Sequence, residues 1–363
     1  MLMCRRRVAL FFTIQLFTII WNEWVTWTWS ELLWNVQSAS EDHEVRFLVV
    51  ADPQLIGYWE ERHLFPDLTR WDADRYLRKG FVRALRASGA DVVVFLGDLM
   101  NEGVHMSKSE FELSVARFEN IFHIPDHVQK IYVPGDNDVG GEHERVLPYL
   151  VGRFANHFVS NFNARSLGLG SLNFVHVNSF NGATDVIWNG STSLTVVLSH
   201  LPILRFRGLV QQLRQMLFPT LILSAHDHVA NFYEEHRHSS RHYTRVPLIE
   251  VGPVAATVGQ DAKLVEFQTA TCNYRMGVAN MAYGLMSFVK NNATQEQSFR
   301  VRYAALWLPR RFYQLGVYIT VFVFSLYISL KTNFITYTLI PRHLLFHHPA
   351  VSSKFHSNIL SCV

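Results

Sequence analysis

Apolar and polar positions recur at two different periods along the middle of the chain. Short runs rich in Val, Ile, Leu and Phe ("VRFLVVAD", "DVVVFLGD", "KIYVPGDND", "LNFVHVNS", "SLTVVLSH", "TLILSAHDH" and "PLIEVGP") show little alternation, the pattern of strands buried on both faces. Between them the apolar positions follow helical spacing. In "SKSEFELSVARFENIF", Ser107 and Glu110 form a capping box, and Phe111, Val115, Phe118 and Phe122 line one face. "DADRYLRKGFVRALRASGAD" predicts a second helix, closed by Gly89. Together these elements predict a layered α/β domain over residues 44–255, followed by a less regular extension over residues 256–309.

The ends of the chain follow a third pattern. Arg5, Arg6 and Arg7 precede an apolar run from Val8 to Ile20, and no small-residue cleavage site comes after it. The tryptophans of "WNEWVTWTW" suit a membrane interface, so residues 8–30 read as an uncleaved signal anchor in preference to a cleaved signal peptide. Phe312 to Leu330 carries no charge and approaches the ~20 residues that cross a bilayer core. The positive-inside rule then places Arg5–Arg7 in the cytosol, the central domain and its extension in the lumen, and the tail, residues 331–363, back in the cytosol. Arg310 and Arg311, on the luminal flank, work against that orientation. The sequons at Asn189 and Asn292 agree with a luminal domain.

Composition narrows the chemistry. With 33 Lys and Arg against 30 Asp and Glu, and no long basic run, the chain carries no nucleic-acid footprint. Cys4, Cys272 and Cys362 are too widely spaced for a disulfide framework or a thiolate zinc site. The 18 histidines direct attention to metal ligation instead. Successive apolar runs end in polar clusters: Asp52 with Gln54, Asp98, Asp136 with Asn137, His200, and His226 with His228. In α/β sheets ligands gather at the carboxyl ends of strands, so these clusters can converge on one crevice. The crowding of Asp136 and Asp138 in "GDND" is costly unless a cation offsets it. Oxygen and imidazole donors without thiolate suit Mn²⁺, Fe²⁺ or Zn²⁺ better than Ca²⁺ or Mg²⁺. The donors outnumber the needs of one site and fit two cations sharing a carboxylate, ~3.5–4 Å apart.

"ADPQ", "LGDLM", "PGDND", "LSHLP" and "SAHDH", in that order over residues 46–229, resemble the motifs of the calcineurin-like metallophosphoesterases. The resemblance implies a four-layer sandwich, two mixed sheets flanked by helices. It implies a first metal held by Asp52, Gln54, Asp98 and His228, and a second by Asp98, Asp136, His200 and His226, with Asp98 as the bridge. Attack on phosphorus would be in line, with the cations neutralising the charge that develops. The chain departs from the family pattern at three places. Gln54 replaces the His of D-x-H, Ala225 replaces a Gly, and "GDND" puts Asp136 at the ligand Asn and Asn137 at the His credited with contacting phosphate. Asp138 then matches the family's outward structural acid.

Within the superfamily, "ADPQL", "PGDNDVGGE" and the two apolar ends most resemble the post-GPI-attachment phosphoesterase branch. That implies a membrane-anchored, manganese-dependent luminal enzyme, which removes ethanolamine-phosphate from the mannose core of GPI-anchored proteins or glycolipids. The rival readings are the same chemistry on a nucleotide or phosphoprotein, and an inactive scaffold of the same fold. "CNYRMGVANMAYG" reads as connecting structure packed on the domain, in preference to the lining of a substrate groove.

Overall fold

The computed structural model describes residues 2–34, 36, 44–59, 64–142, 144–192, 194–236, 242–259, 262–291 and 298–339. Asn292 and the tail beyond Leu339 lie outside them. The chain divides into two compact units, residues 30–310 and residues 1–29 with 311–363.

The larger unit contains strands β1 (Glu44–Val50), β2 (Val92–Leu96), β3 (Gln129–Val133), β4 (Asn173–Asn178), β5 (Ala183–Trp188), β6 (Thr195–Leu198), β7 (Pro219–Ser224), β8 (Asn231–Glu235), β9 (Tyr243–Pro247), β10 (Val254–Val258), β11 (Val265–Gln268), β12 (Ala282–Asn291) and β13 (Ser298–Trp307). They form two mixed sheets, ordered β10-β13-β12-β1-β2-β3 and β5-β4-β6-β7-β11-β8-β9. The expected runs β1, β2 and β3 pair in parallel, as do β4, β6, β7 and β11. The sheets face each other across one core. Phe47 meets Phe174 edge-on at 6.0 Å between ring centroids, and Phe267 stacks on Tyr303 at 5.0 Å. Phe47 is fully buried, and truncating such a ring to alanine costs about 3–5 kcal/mol.

Helices complete the layers. Pro66–Ser88 packs on the first sheet, where Phe81 touches Tyr283 and the Phe122 ring; it ends at Gly89, whose φ of 56° a side chain would resist. Lys108–Ile121 begins with the Ser107/Glu110 capping box. On the outer face of the second sheet, Val210 and Leu213 of the helix Arg207–Met216 pack against Val175, Val197 and Ile222. This is the expected four-layer arrangement.

Two expectations are corrected. "PLIEVGP" does not form a strand: Leu248–Val251 is a single helical turn between β9 and β10, stopped by Gly252 at φ 72°. Residues 256–309 are not a less regular extension. They supply β11 to the second sheet and the ten-residue strands β12 and β13 to the first, and β12 pairs directly with β1.

The smaller unit pairs two apolar helical segments, Leu2–Ile20, continuing through a wider turn at Trp21–Val25, and Arg311–Leu339. Val8–Leu33 and Arg311–Lys331 are long and apolar enough to cross a membrane. Phe12, Leu16 and Phe17 on one, and Phe322, Val323 and Phe324 on the other, are exposed, as in helices that face lipid. Polar contacts join them: Gln314 donates to the Asn22 carbonyl at 2.9 Å and to Thr26 Oγ1 at 2.7 Å, and Arg311 pairs with Glu23 at 3.0 Å. Arg311 is buried in this pair, so it does not flank the span as a solvated charge.

Candidate metal centre

Each sequence-predicted ligand sits just past the carboxyl end of a strand: Asp52 after β1, Asp98 after β2, Asp136 after β3, His200 after β6, and His226 and His228 after β7. Among the described residues, the non-glycine positions with positive φ are Asp52 (46°), Gln54 (38°), Asp98 (52°), His226 (71°) and His228 (61°). Left-handed backbone costs an L-residue of order 1–3 kcal/mol and persists where the surroundings impose it, typically at functional sites. Here the backbone strain and the candidate ligands coincide.

The loops that carry them are tightly fitted. A Cβ on Gly97 would lie 2.6 Å from the His200 ring, and one on Gly135 would collide with Asp98. The "LGD" and "PGD" glycines therefore let two ligand loops and an imidazole meet at contact distance.

Asp98 stands at the centre. Its Oδ2 accepts from Gln54 Nε2 at 2.9 Å and from Asn137 Nδ2 at 2.8 Å, and its Oδ1 accepts from the Asn137 main-chain N–H at 3.0 Å. His200 Nε2 lies 3.4 Å from Asp98 Oδ1 and 3.0 Å from Asp136 Oδ1, while its Nδ1 donates to the Leu96 carbonyl at 2.7 Å. That bond turns Nε2 toward the site. His226 Nδ1 is 3.2 Å from Asp136 Oδ1. Gln54 Nε2 is 3.2 Å from His228 Nε2.

The electrostatics fit cations. Both Asp52 carboxylate oxygens are buried without a hydrogen-bond partner. Burial pushes that carboxyl up to about 8, with His200 opposing and Asp98 reinforcing the shift. Burial likewise raises Asp98. It also resists charge on His200, but Asp98, Asp136 and Asp52 outweigh it and hold the imidazole well above its ordinary range. A buried carboxylate without donors, Asp52, set beside Asp98 and the imidazoles, matches the donor set of hard-to-borderline divalent cations. Donor atoms of Asp136, His200 and His226, and of Asp52, Asp98 and His200, lie within 4.8 Å of one another.

Within "GDND" the geometry separates the two neighbours. The Asp136 carboxylate faces both imidazoles, whereas the Asn137 side chain lies on Asp98. Asp138 does not point outward. It is buried, and its carboxylate accepts from the main-chain N–H of Leu99 and Met100 at 3.1 Å and of Gly135 at 2.9 Å, fixing the Asp98 loop to the Asp136 loop.

Sequence reasoning missed a second set of residues. Thr271 Oγ1 donates to the Asp52 carbonyl at 2.8 Å, and buried Asn273 Nδ2 donates to the carbonyls of Pro53 at 2.8 Å and Gln54 at 3.2 Å. "TCNYRMG" therefore clamps the strained turn of the first ligands. Asp227, between His226 and His228, is held by Arg205 at 2.6 Å and by Gln268 at 2.7 Å, which ties the loop after His200 to the paired histidines. Asp227 adjoins two predicted ligands, and only that adjacency marks it in the sequence.

The profile of the calcineurin-like phosphoesterases matches residues 45–230, half of the chain and all of the predicted ligands. The chain belongs to the calcineurin-like phosphoesterase family. It is similar to the Metallophosphoesterase 1 homolog of Drosophila melanogaster, 31% identical over 138 residues, which are 38% of this chain and 36% of that protein. Metallophosphoesterase 1 of Mus musculus is 31% identical over 151 residues, 42% of this chain and 36% of its own length. That of Ailuropoda melanoleuca is 32% identical over 142 residues, 39% and 34% respectively. The matched part of the chain spans about a third of the length of these curated relatives.

Proposed function

We propose that this chain is a membrane-anchored, metal-dependent phosphodiesterase that removes ethanolamine-phosphate from the mannose core of GPI anchors, on the luminal side of the endoplasmic reticulum or Golgi membrane. The observation that carries the enzymatic reading is the convergence of Asp52, Gln54, Asp98, Asp136, His200, His226 and His228 from separate strand ends, with strained backbone at five of them. The substrate reading is supported by the motif resemblance and by two helices, Val8–Leu33 and Arg311–Lys331, that are long and apolar enough to anchor the chain in a membrane.

Two divalent cations, Mn²⁺ by donor chemistry with Fe or Zn as alternatives, would be held by Asp52, Gln54, Asp98 and His228 and by Asp98, Asp136, His200 and His226. There they would neutralise phosphoryl charge and activate water. The protein's own residues supply the rest. His200 keeps Nε2 toward the site through its bond to Leu96. Asn137 commits one amide hydrogen to Asp98 and has a second to donate to a phosphoryl oxygen. It cannot deliver a proton at neutral pH, so its role is to stabilise charge and not to act as general acid.

Purified full-length protein in detergent should release phosphoethanolamine from an ethanolamine-phosphate-substituted GPI glycan, followed by mass spectrometry. Asp98→Ala should abolish release. Hydrolysis of bis-p-nitrophenyl phosphate without release from the glycan would favour another phosphodiester. Hydrolysis of neither would leave the inactive scaffold.

A further inference from the structure

We propose that the helix Pro66–Ser88 lies along the phospholipid surface, with its Leu64–Trp71 end inserted below the phosphates and its basic remainder resting on them. The loop that carries Gln54 is thereby held beside the bilayer. This rests on the membrane-anchored reading above and goes beyond it, because an anchor alone leaves the facing of the domain open.

A helix packed on a sheet ordinarily turns polar side chains outward. This one does so only over its second half. Its inner face buries Ala73, Leu77, Phe81 and Ala84. On the opposite face, at intervals of three and four, stand Leu64, Leu68 and Trp71, exposed by 90%, 59% and 58%. Arg75, Arg78, Val82 and Arg86 continue the same stripe, and the Arg75 guanidinium lies 5.3 Å from the Trp71 ring centroid. The acids of the helix do not cancel this charge. Asp72 accepts from Tyr274 at 2.9 Å, Asp74 is held by Arg117 at 2.8 Å, and Asp67 pairs with Arg70 at 2.7 Å. An apolar end bearing a tryptophan, followed by arginines, is the composition of a helix at a membrane interface: the indole sits at headgroup level and the guanidinium groups meet phosphate.

The contacts of the same helix say what covers this face. Tyr76 donates to the Pro309 carbonyl at 2.9 Å, Leu308 lies against Gly80, and Arg83 pairs with Glu31. Pro309 comes just before the membrane-length helix Arg311–Lys331, and Glu31 lies near the end of the other, Val8–Leu33. Both roots of the anchor are thus fastened to this helix, which keeps it close to the level where the chain enters hydrocarbon. The arginine-lined stripe complements the phosphate layer that lies there.

The apolar end is also the end fastened to the first ligands. Arg70 donates to the Gly57 carbonyl at 3.1 and 3.3 Å, and its guanidinium lies 4.0 Å from the Tyr58 ring centroid. Buried Glu102 accepts from the Tyr58 main-chain N–H at 3.2 Å. Gly57 and Tyr58 continue the turn of Asp52 and Gln54, so lipid contact at Leu64–Trp71 holds that turn near the surface. The centre is then placed for phosphoesters that stay in the membrane while they react.

The test uses full-length protein in phosphatidylcholine nanodiscs, with Cys4→Ser and Cys362→Ser and with buried Cys272 retained. A nitroxide is attached in turn at Leu68→Cys, Trp71→Cys, Arg78→Cys and Arg86→Cys. Two reference labels are Phe324→Cys, exposed on the second apolar helix, and Gln211→Cys, exposed on the helix outside the second sheet. Relaxation by oxygen, which concentrates in lipid, is compared with relaxation by a water-soluble nickel chelate. The oxygen-to-nickel ratio of the Leu68→Cys and Trp71→Cys labels should exceed that of Gln211→Cys several-fold and approach that of Phe324→Cys, with Arg78→Cys and Arg86→Cys between. Leu68→Cys and Trp71→Cys labels that match Gln211→Cys overturn the proposal. Labels there that are shielded from both reagents overturn it too, since they show a protein partner or a second copy on the stripe. In both cases a lipid-like ratio at Phe324→Cys leaves the membrane-anchored reading standing. A water-like ratio at Phe324→Cys overturns that reading and the proposal with it.

Discussion

Asp136 and Asn137 are adjacent, both polar and both near the site, yet their substitution by alanine should have different consequences. Asp136 Oδ1 lies 3.0 Å from His200 Nε2 and 3.2 Å from His226 Nδ1, the placement of a ligand shared with two imidazoles. Asp136→Ala should lose the second-site ion, and turnover with it, beyond the ~10²–10³ that one stabilising donor is worth. Asn137 donates twice to Asp98: through Nδ2 at 2.8 Å and through its main-chain N–H at 3.0 Å. Asn137→Ala removes the first bond and keeps the second, so Asp98 stays in place. A hydrogen bond to a charged group contributes about 1.5–3 kcal/mol, which predicts an about 10–100-fold fall in kcat/KM with both ions retained. Asp136→Asn should be tolerated, because an amide oxygen at 136 restores the ligand common in the family. The assay pairs metal stoichiometry by plasma emission with hydrolysis of bis-p-nitrophenyl phosphate. Loss of the ion from Asn137→Ala and its retention in Asp136→Ala would show that the ligand is Asn137 and refute the assignment.

Chelation should abolish phosphodiester hydrolysis by the purified protein, and Mn²⁺ should restore it better than Mg²⁺, because imidazole donors disfavour Mg²⁺; equal recovery with Mg²⁺ would speak against the histidines as ligands. Asn273→Ala should destabilise by about 1–3 kcal/mol, since it leaves the buried Pro53 and Gln54 carbonyls without their donor, and a thermal or urea melt that does not move would remove Asn273 from the clamp. Asn189, exposed just after β5, should carry an endoglycosidase-sensitive glycan when the protein is expressed in eukaryotic cells. A protease-accessible, unglycosylated domain in intact microsomes would reverse the membrane orientation.

The strands that bear ligands were legible because their apolar runs are continuous and each ends in a polar residue. β2 is buried along its whole length and β1 over its last four residues, so no alternation blurs those runs; β3 alternates between half-buried and buried positions, yet in all three the chemistry follows at once. β12 and β13 were not legible. Gly284 and Ser287 interrupt β12, and Arg300 and Arg302 interrupt β13, while β12 pairs with β1 from the far end of the domain. "PLIEVGP" carries strand-type residues, but Pro247 and Gly252 bracket too few of them to extend a ladder. The clamp on the first ligands was hidden for a related reason. Asn273 reaches Pro53 across 220 residues of sequence, and an Asn in a loop has no local pattern that distinguishes a clamp from a turn.

The departures from the family pattern form one electrostatic argument. Replacing the usual Asn by Asp136 adds a negative charge beside His200 and His226 in a buried site, where charges act strongly. Replacing an imidazole by Gln54 withdraws a nitrogen ligand from the other site and supplies an amide already hydrogen-bonded to Asp98 and His228. Replacing a second imidazole by Asn137 removes a proton donor and adds a hydrogen bond to Asp98. Gln54 and Asn137 donate to Asp98, and Asp136 faces His200, which itself lies 3.4 Å from Asp98, so all three side chains stay tied to the carboxylate at the centre. A site decaying toward a scaffold would have no reason to keep them there.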